Sequence, residues 1–130
     1  MIGSEGVFNI ESTNGTVRVI NFWFTTCGPC LEELPHFDQL AKEYGDSVTM
    51  IAICANYDAD IAPDFVAEYF SDYSMLFGLD NANESYYTKL GGKGTYPMTL
   101  VLDANGVVVE RFPNPASYEA LKAAIEKAMQ

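Results

Sequence analysis

The stretch INFWFTTCGPCLEELPHF, residues 20–37, places Cys27 and Cys30 with two residues between them, at a change in sequence pattern. The segment before the pair is almost continuously apolar, and the segment after it repeats apolar residues every three or four positions. These patterns predict that a strand ends and a helix begins at the two cysteines. Such a pair is a structural disulfide, half of a metal site or a redox-active dithiol, and the rest of the chain has to distinguish these three.

Apolar and turn residues predict alternating strands and helices along the whole chain. Residues 16–24 (TVRVINFWF) are typical of a strand buried on both faces, and the helix after the cysteines ends at Gly45. Residues 98–112 predict a hairpin, because two apolar runs flank the turn sequence DANG. The other predicted elements are a strand over 47–55, a helix over 60–73, a short strand over 74–80, a short helix over 83–92 and a helix over 116–130 that Ser117 caps.

This order is a βαβ unit followed by a ββα unit. It predicts an α/β fold, a three-layer α/β/α sandwich with a mixed central sheet. The length of 130 residues suits one domain, which we place over residues 1–130.

The chain is strongly acidic, with 7 Lys and Arg against 18 Asp and Glu and a formal net charge of −11. Such a surface repels phosphate backbones, so nucleic acid is not among the expected partners. No apolar run approaches the roughly 18 residues that a membrane-spanning helix requires. The first residues also lack the basic and apolar regions of a secretory signal.

The position of the cysteine pair favours redox chemistry. A cysteine attacks a disulfide as its thiolate, and a helix N-terminus stabilises an anion. Cys27 stands at the predicted helix start, so its pKa should be lowered, and Cys30 lies within the first turn, near enough to resolve a mixed disulfide. Pro29 is tolerated in a first helical turn, and Gly28 leaves room for a partner chain to approach.

A structural disulfide and a metal site both fit the pair less well than a redox dithiol. A disulfide that joins Cys27 to Cys30 closes too small a loop to constrain the unfolded chain much. A zinc site has four ligands as a rule, and only Cys54 and His36 remain as soft ligands. Cys54 ends an apolar strand, where free cysteines are usually core residues, and we expect His36 to be a solvated helix residue.

The motifs around the pair resemble the thioredoxin fold and, within it, the TlpA/ResA-like thiol–disulfide oxidoreductases. The resemblance covers the chain from about residue 16 to the end. CGPC is shared with thioredoxins in general, whereas the continuation C-x-x-E-x-P, here Cys30, Glu33 and Pro35, is similar to the TlpA/ResA branch. The segment GTYPMTLVLDANGVVVERF resembles the region in which these proteins carry a cis-proline that faces the active site, here Pro97.

The resemblance implies roles for individual residues. Cys27 would attack, Cys30 would resolve, and the Cys27–Cys30 disulfide would itself be the redox centre, with no cofactor and no metal. Glu33 would move protons to and from the buried thiol, although acidic residues also favour the first turns of a helix through its dipole. The substrate groove would be formed by Trp23 (as a site wall, unless it is core), Thr26, Gly28, Pro29, Tyr96, Pro97 and Met98.

Two positions depart from the family pattern. Thr26 stands where a Trp often precedes the first cysteine, which removes an aromatic wall. Asn21 stands where thioredoxin proper has Asp, so a proton relay would depend on Glu33 or water.

The resemblance also implies partners and a location. We expect a monomer that reduces disulfides of partner proteins, draws electrons from an upstream thiol donor and works outside the cytoplasm, tethered to a membrane in the full-length protein. A cytoplasmic reductase, a dithiol oxidase or isomerase, and a non-catalytic binding module remain as alternatives.

Overall fold

The computed structural model describes residues 15–80, 86–92 and 94–130 of the chain. Among these residues, the strands and helices are, in chain order, β1 (Val17–Trp23), α1 (Gly28–Tyr44), β2 (Val48–Cys54), α2 (Ala62–Tyr69), β3 (Leu76–Leu79), α3 (Tyr86–Lys89), β4 (Met98–Leu102), β5 (Val108–Phe112) and α4 (Tyr118–Ala128). Short 3-10 turns, Gly45–Ser47 and Asn56–Asp58, follow α1 and β2. No helix in these ranges is long and apolar enough to cross a bilayer.

The strands form one five-stranded sheet in the order β3-β2-β1-β4-β5. β1 and β3 both pair with β2 in parallel, whereas β4 is antiparallel to β1 and to β5. The mixed sheet of the predicted α/β sandwich is therefore confirmed. All residues of the central strand β1 are buried, which explains why the sequence of this strand is almost continuously apolar.

Helices cover both faces of the sheet, as a three-layer sandwich requires. On one face, Val19 and Trp23 of β1 lie in a core cluster that also contains buried residues of α1, α2 and α4. On the other face, Ile20 and Phe22 pack in a second cluster with Tyr87 of the short helix α3. Successive side chains of β1 thus point into different core layers, because side chains alternate along a strand.

Local signals that the sequence predicted are present. Gly45 ends α1 with φ of +57°, a conformation that glycine adopts at little cost. Ser117 caps α4 by accepting a hydrogen bond from the backbone N–H of Ala120 at 3.1 Å. In the β4–β5 turn, Asp103 Oδ1 accepts hydrogen bonds from the N–H groups of Asn105 and Val107, at 2.9 and 3.0 Å.

Some predicted elements are shorter in the structure. The helix predicted over 60–73 is α2, of 8 residues, and it ends before Phe70, whose ring stacks on Phe77 of β3 with centroids 5.3 Å apart. Packing against the core thus overrides the helical pattern of the sequence. The strand predicted over 74–80 is β3, and of the helix predicted over 83–92 the described part forms α3, while residues 83–85 lie outside the described ranges.

The topology gathers three loops at one edge of the sheet. The parallel partners β1 and β2 end together, with Trp23 opposite Cys54. The antiparallel strand β4 starts at the same edge, since Met98 lies opposite Phe22. The loop that carries the cysteines, the turn after β2 and the loop before β4 therefore meet at this edge.

Candidate active site

Cys27 and Cys30 form a disulfide at the start of α1, with their Cα atoms 5.2 Å apart. Cys27 is the N-cap residue of the helix, and its Sγ accepts a hydrogen bond from the backbone N–H of Cys30 at 3.2 Å. The predicted position of Cys27 at the helix start is confirmed. Free N–H groups and the positive end of the helix dipole therefore face the sulfur, and both stabilise a thiolate there when the disulfide is reduced.

Both cysteines are buried, Cys27 slightly less than Cys30. Cys27 is 4% exposed and Cys30 is 0% exposed. Thr26, Gly28 and Pro29 surround Cys27 in sequence and are all exposed, so they form a rim around the disulfide.

On α1, the buried carboxylate of Glu33 is held by two hydrogen bonds. Asn21 Nδ2 donates to Oε1 at 2.8 Å, and the backbone N–H of Ala116 donates to Oε2 at 2.9 Å. Burial raises the pKa of Glu33 to about 7, and the two hydrogen bonds, which favour the ionised form, oppose part of that rise. Glu33 follows Cys30 by three positions on α1, so the two side chains share a helix face. Near neutral pH this carboxyl can both give and take a proton.

The loop before β4 carries the cis-proline and an aromatic stack. The Tyr96–Pro97 peptide bond is cis, and Pro97 is buried. The ring of Tyr96 stacks on Tyr87, with centroids 4.4 Å apart, and contacts Phe24 edge-on at 5.3 Å. Phe24 contacts Tyr57 in turn, at 5.8 Å. The half-buried Phe24 and Tyr96 are thus joined in a line of rings beside the cysteine loop.

Two residues predicted for the substrate groove have side chains in the core instead. Trp23 is fully buried and its indole packs on Phe70 and Phe77, with centroids 5.9 and 6.1 Å apart. Met98 is also buried and lies in the second core cluster. Both side chains pack in the core in this structure, and their expected contact with substrate stays a prediction. The cause of the packing is strand alternation, which turns both side chains into the core layers.

A contact that sequence reasoning missed fixes the cysteine loop. The buried carboxylate of Asp58 accepts two hydrogen bonds on Oδ2, from the backbone N–H of Thr25 at 2.7 Å and from Thr25 Oγ1 at 2.9 Å. Thr25 lies two residues before Cys27. The only signal in the sequence is an Asp and a Thr shortly after two strands whose ends meet, and it becomes visible once β1 and β2 are paired.

Cys54 and His36 are the other soft ligands that the sequence analysis considered. Cys54 is buried in the core, as predicted, and burial raises the pKa of its thiol to about 12. His36 lies on α1 and is partly exposed. Within the described residues, no group of three or more His, Cys, Asp or Glu side chains is placed to hold a metal ion.

Comparison with known proteins identifies the family. Residues 3–127 match the Redoxin family. The chain belongs to this family. It is 31% identical over 121 residues to the thiol-disulfide oxidoreductase ResA of Bacillus thuringiensis (strain Al Hakam), an alignment that covers 91% of the chain and 66% of the relative. It is 28% identical over 103 residues to the thioredoxin-like protein YneN of Bacillus subtilis (strain 168), covering 77% and 58% respectively.

A solved structure gives the same result for the fold. The crystal structure described as that of a thiol:disulfide interchange protein DsbE from Chlorobium tepidum superposes with a TM-score of 0.83 at 25% identity, over 98% of this chain and 89% of that one. The predicted thioredoxin fold and its TlpA/ResA-like branch are thus confirmed. The alignments to YneN and ResA span 58% and 66% of the lengths of those proteins.

Proposed function

We propose that this Redoxin-family chain forms a single thioredoxin-like domain that acts as a protein thiol–disulfide oxidoreductase, reducing disulfides of partner proteins. The observation that carries the proposal is the Cys27–Cys30 disulfide at the N-terminus of α1, with Cys27 as the helix cap. The names of ResA and of the DsbE structure, which describe thiol–disulfide chemistry, support it.

The reaction starts from the reduced dithiol. The Cys27 thiolate attacks one sulfur of the partner disulfide, so that a mixed disulfide forms and the other partner sulfur leaves as a thiolate. Cys30, as its thiolate, then attacks Cys27 Sγ, which forms the Cys27–Cys30 disulfide and releases the second partner sulfur. Two electrons pass to the partner, whose sulfurs take up two protons. An upstream dithiol must then reduce the Cys27–Cys30 disulfide, which serves as the only redox centre of the proposed reaction.

Glu33 is the proposed proton acceptor for the resolving cysteine. Cys30 is fully buried, and burial disfavours its thiolate unless a base takes the proton. The pKa of Glu33, raised to about 7 by burial, makes this carboxyl a suitable base near neutral pH. Ala116 and Asn21 hold its orientation through the hydrogen bonds described above.

The proposed substrate site is the surface around Cys27. Thr26, Gly28 and Pro29 form its rim, and Tyr96 with Pro97 form the facing loop. Thr26 stands where the family often has Trp. In our proposal the half-buried ring of Phe24, which contacts Tyr96, provides the aromatic wall instead. We also include in the proposal a monomeric state, partner proteins that carry disulfides, and a site of action outside the cytoplasm with a membrane tether in the full-length protein.

Turnover of a protein disulfide tests the function. Reduction of insulin by dithiothreitol should be accelerated by the wild-type protein, abolished by Cys27→Ser, and replaced by trapped mixed disulfides in Cys30→Ser. Cys54→Ala is the matched control, because it removes the remaining cysteine of the chain and should retain turnover. Full activity of Cys27→Ser would exclude the proposed mechanism.

The reduction potential of the Cys27–Cys30 pair distinguishes a reductase from an oxidase. Equilibration in defined thiol buffers, followed by alkylation and mass measurement, gives this potential. A value near the roughly −270 mV of thioredoxin supports the reductase, whereas a value near the roughly −120 mV of a strong oxidant reverses the proposed direction.

A further inference from the structure

The outer surface of α2 and of the turn before it carries an exposed apolar row. Its members recur every fourth residue: Tyr57, Ile61, Phe65 and Tyr69. Tyr57, Ile61 and Tyr69 are 69%, 54% and 58% exposed, unusual values for large apolar side chains. In a helix, residues four apart are neighbours on one face, so Ile61 and Tyr69 lie about 12 Å apart along it.

An acidic row runs beside the apolar row. Asp60, Asp64 and Glu68 also recur every fourth residue, and all three are exposed. In the described ranges, no Lys or Arg nitrogen lies within 4.0 Å of these carboxylates. Like charges four residues apart on a helix repel each other. Asp64 and Glu68 are such a pair within α2, and a cationic partner offsets their repulsion when it binds.

The apolar row leads to the cysteine loop. Tyr57, at its first position, contacts Phe24, with centroids 5.8 Å apart. The backbone carbonyl of Phe24 accepts a hydrogen bond from the N–H of Cys27 at 3.1 Å. A polypeptide whose disulfide reaches Cys27 can therefore lay its neighbouring residues along α2, and about four extended residues span the stretch from Ile61 to Tyr69.

The core holds the apolar row in place. Phe65 is half-buried and contacts Trp23, with centroids 6.0 Å apart, and it also contacts Tyr69 at 4.7 Å. The turn before α2 is fixed by the hydrogen bonds of Asp58 to Thr25. A preorganised surface binds a partner without an ordering cost of its own.

We propose that the apolar and acidic rows of α2 dock substrate proteins whose disulfide is flanked by a segment of apolar residues and Lys or Arg. The apolar side chains of that segment lie on the apolar row, and its cations pair with the acidic row. The net charge of −11 adds long-range attraction for such a segment. This inference rests on the proposed oxidoreductase function and adds the class of substrate.

Synthetic peptides with one shared intrachain disulfide provide the test. One peptide has no extension, and three have an extension of Leu alternating with Lys, Ser or Glu. The pre-reduced protein is mixed with each peptide at low ionic strength, and acid-quenched alkylation gives the second-order rate constant. We expect the Lys–Leu peptide to react about tenfold faster than the unextended one and the Glu–Leu peptide more slowly, with both differences reduced by salt.

Matched variants distinguish the effect of the acidic row on α2 from the effect of the protein's net charge. The readout is the ratio of the Lys–Leu rate to the unextended rate, so a general change in activity cancels. Removing the acidic row and removing three exposed carboxylates elsewhere change the net charge equally, but only the first should reduce the ratio by about fivefold or more. The two triple variants are Asp60→Asn/Asp64→Asn/Glu68→Gln and, as control, Asp46→Asn/Glu119→Gln/Glu126→Gln.

A second pair of variants tests the apolar row. Ile61→Ser/Tyr69→Ser should reduce the same ratio, whereas Val107→Ser/Met129→Ser, which removes exposed apolar side chains elsewhere, should not. Equal ratios in the α2 variants and their controls, or equal rates for all peptides, overturn the docking surface and leave the oxidoreductase function intact. No exchange with the unextended peptide overturns the oxidoreductase function, and the docking surface with it.

Discussion

Asn21 of β1 donates a hydrogen bond from its side-chain Nδ2 to Oε1 of Glu33 on α1, over 2.8 Å. The same Nδ2 donates to Thr99 Oγ1 at 3.0 Å, whereas Asn21 Oδ1 has no hydrogen-bond partner among the described residues. The amide therefore positions the carboxyl without itself titrating. Of the two groups only the Glu33 carboxyl titrates, so its protonation can be tested by mutation and by changing the pH.

The first prediction is that Glu33 makes the stability of the fold depend on pH. Its pKa is about 7 when folded, against an ordinary value of 4.5, so unfolding releases the proton between these pH values. The folded state consequently loses stability as pH rises from about 4.5 to about 7, by at most on the order of 3 kcal/mol. Glu33→Gln lacks this loss, so it should be more stable than wild type at about pH 8 and lose that advantage towards pH 5.

Urea unfolding of both proteins at the two pH values measures the effect. The Gln side chain can keep the hydrogen bond from Ala116, and a rotated Asn21 amide can accept from it through the unpartnered Oδ1. Glu32→Gln, the exposed neighbour, is the control and should follow the wild-type pH dependence. Parallel curves for wild type and Glu33→Gln would show that the carboxyl is not protonated in the folded state near neutral pH.

The second prediction concerns the contact that holds the cysteine loop. Asp58→Ala removes Oδ2, the acceptor of both the Thr25 N–H and the Thr25 hydroxyl. Each unsatisfied buried donor costs about 1–3 kcal/mol, so the free energy of unfolding should fall by at least that amount. Turnover of insulin should fall as well, because Thr25 positions the turn that carries Cys27.

Two further variants serve as comparisons for the stability loss of Asp58→Ala. Thr25→Val keeps the backbone hydrogen bond and should lose only about 1 kcal/mol. Asp60→Ala, an exposed acidic residue in the same turn, should change stability by less than about 0.5 kcal/mol. Urea unfolding that gives equal losses for Asp58→Ala and Asp60→Ala would contradict the structural role.

The features that the sequence predicted correctly depend on local patterns. Cys27 at a helix start, Gly45 at a helix end and the turn around Asp103 each follow from residues within a few positions of one another. The chemistry of the pair depends on such a local feature, so the sequence alone is enough to indicate it. Strand identity is accessible for the same reason, since β1 is buried on both faces.

The features that sequence reasoning missed require long-range pairing. Asn21 and Thr99 meet because β1 and β4 are antiparallel neighbours, and Thr25 meets Asp58 across a separation of 33 residues. A strand buried on both faces also gives no sign of the layer into which each side chain points. The sequence therefore leaves Trp23 open between site wall and core, and the structure packs its side chain in the core.

The third prediction is that Cys54 is inert in the folded protein. Burial raises the pKa of its thiol to about 12, so the thiolate fraction near pH 8 is on the order of one in ten thousand. Maleimide treatment of the reduced native protein should add at most two labels, and a third only in denaturant. Mass spectrometry distinguishes the outcomes, and a rapid third adduct in the native state would show that Cys54 is accessible.

The final prediction separates the packing role of Trp23 from a role in the site. Its indole is surrounded by Phe65, Phe70 and Phe77, and Nε1 has no hydrogen-bond partner among the described residues. Trp23→Ala should therefore cost about 3–5 kcal/mol of unfolding free energy. Trp23→Phe should cost distinctly less, because it keeps an aromatic ring and loses no hydrogen bond.

Turnover measured on the folded fraction completes the test of Trp23. Since the side chain is fully buried, Trp23→Phe should reduce insulin at a rate within about twofold of wild type at temperatures where both are folded. Phe24→Ala is the informative comparison, because it removes a ring that contacts Tyr96 beside the cysteine loop and should lower turnover with little loss of stability. A stable Trp23→Phe protein with strongly reduced turnover would show that the indole contributes to the substrate site.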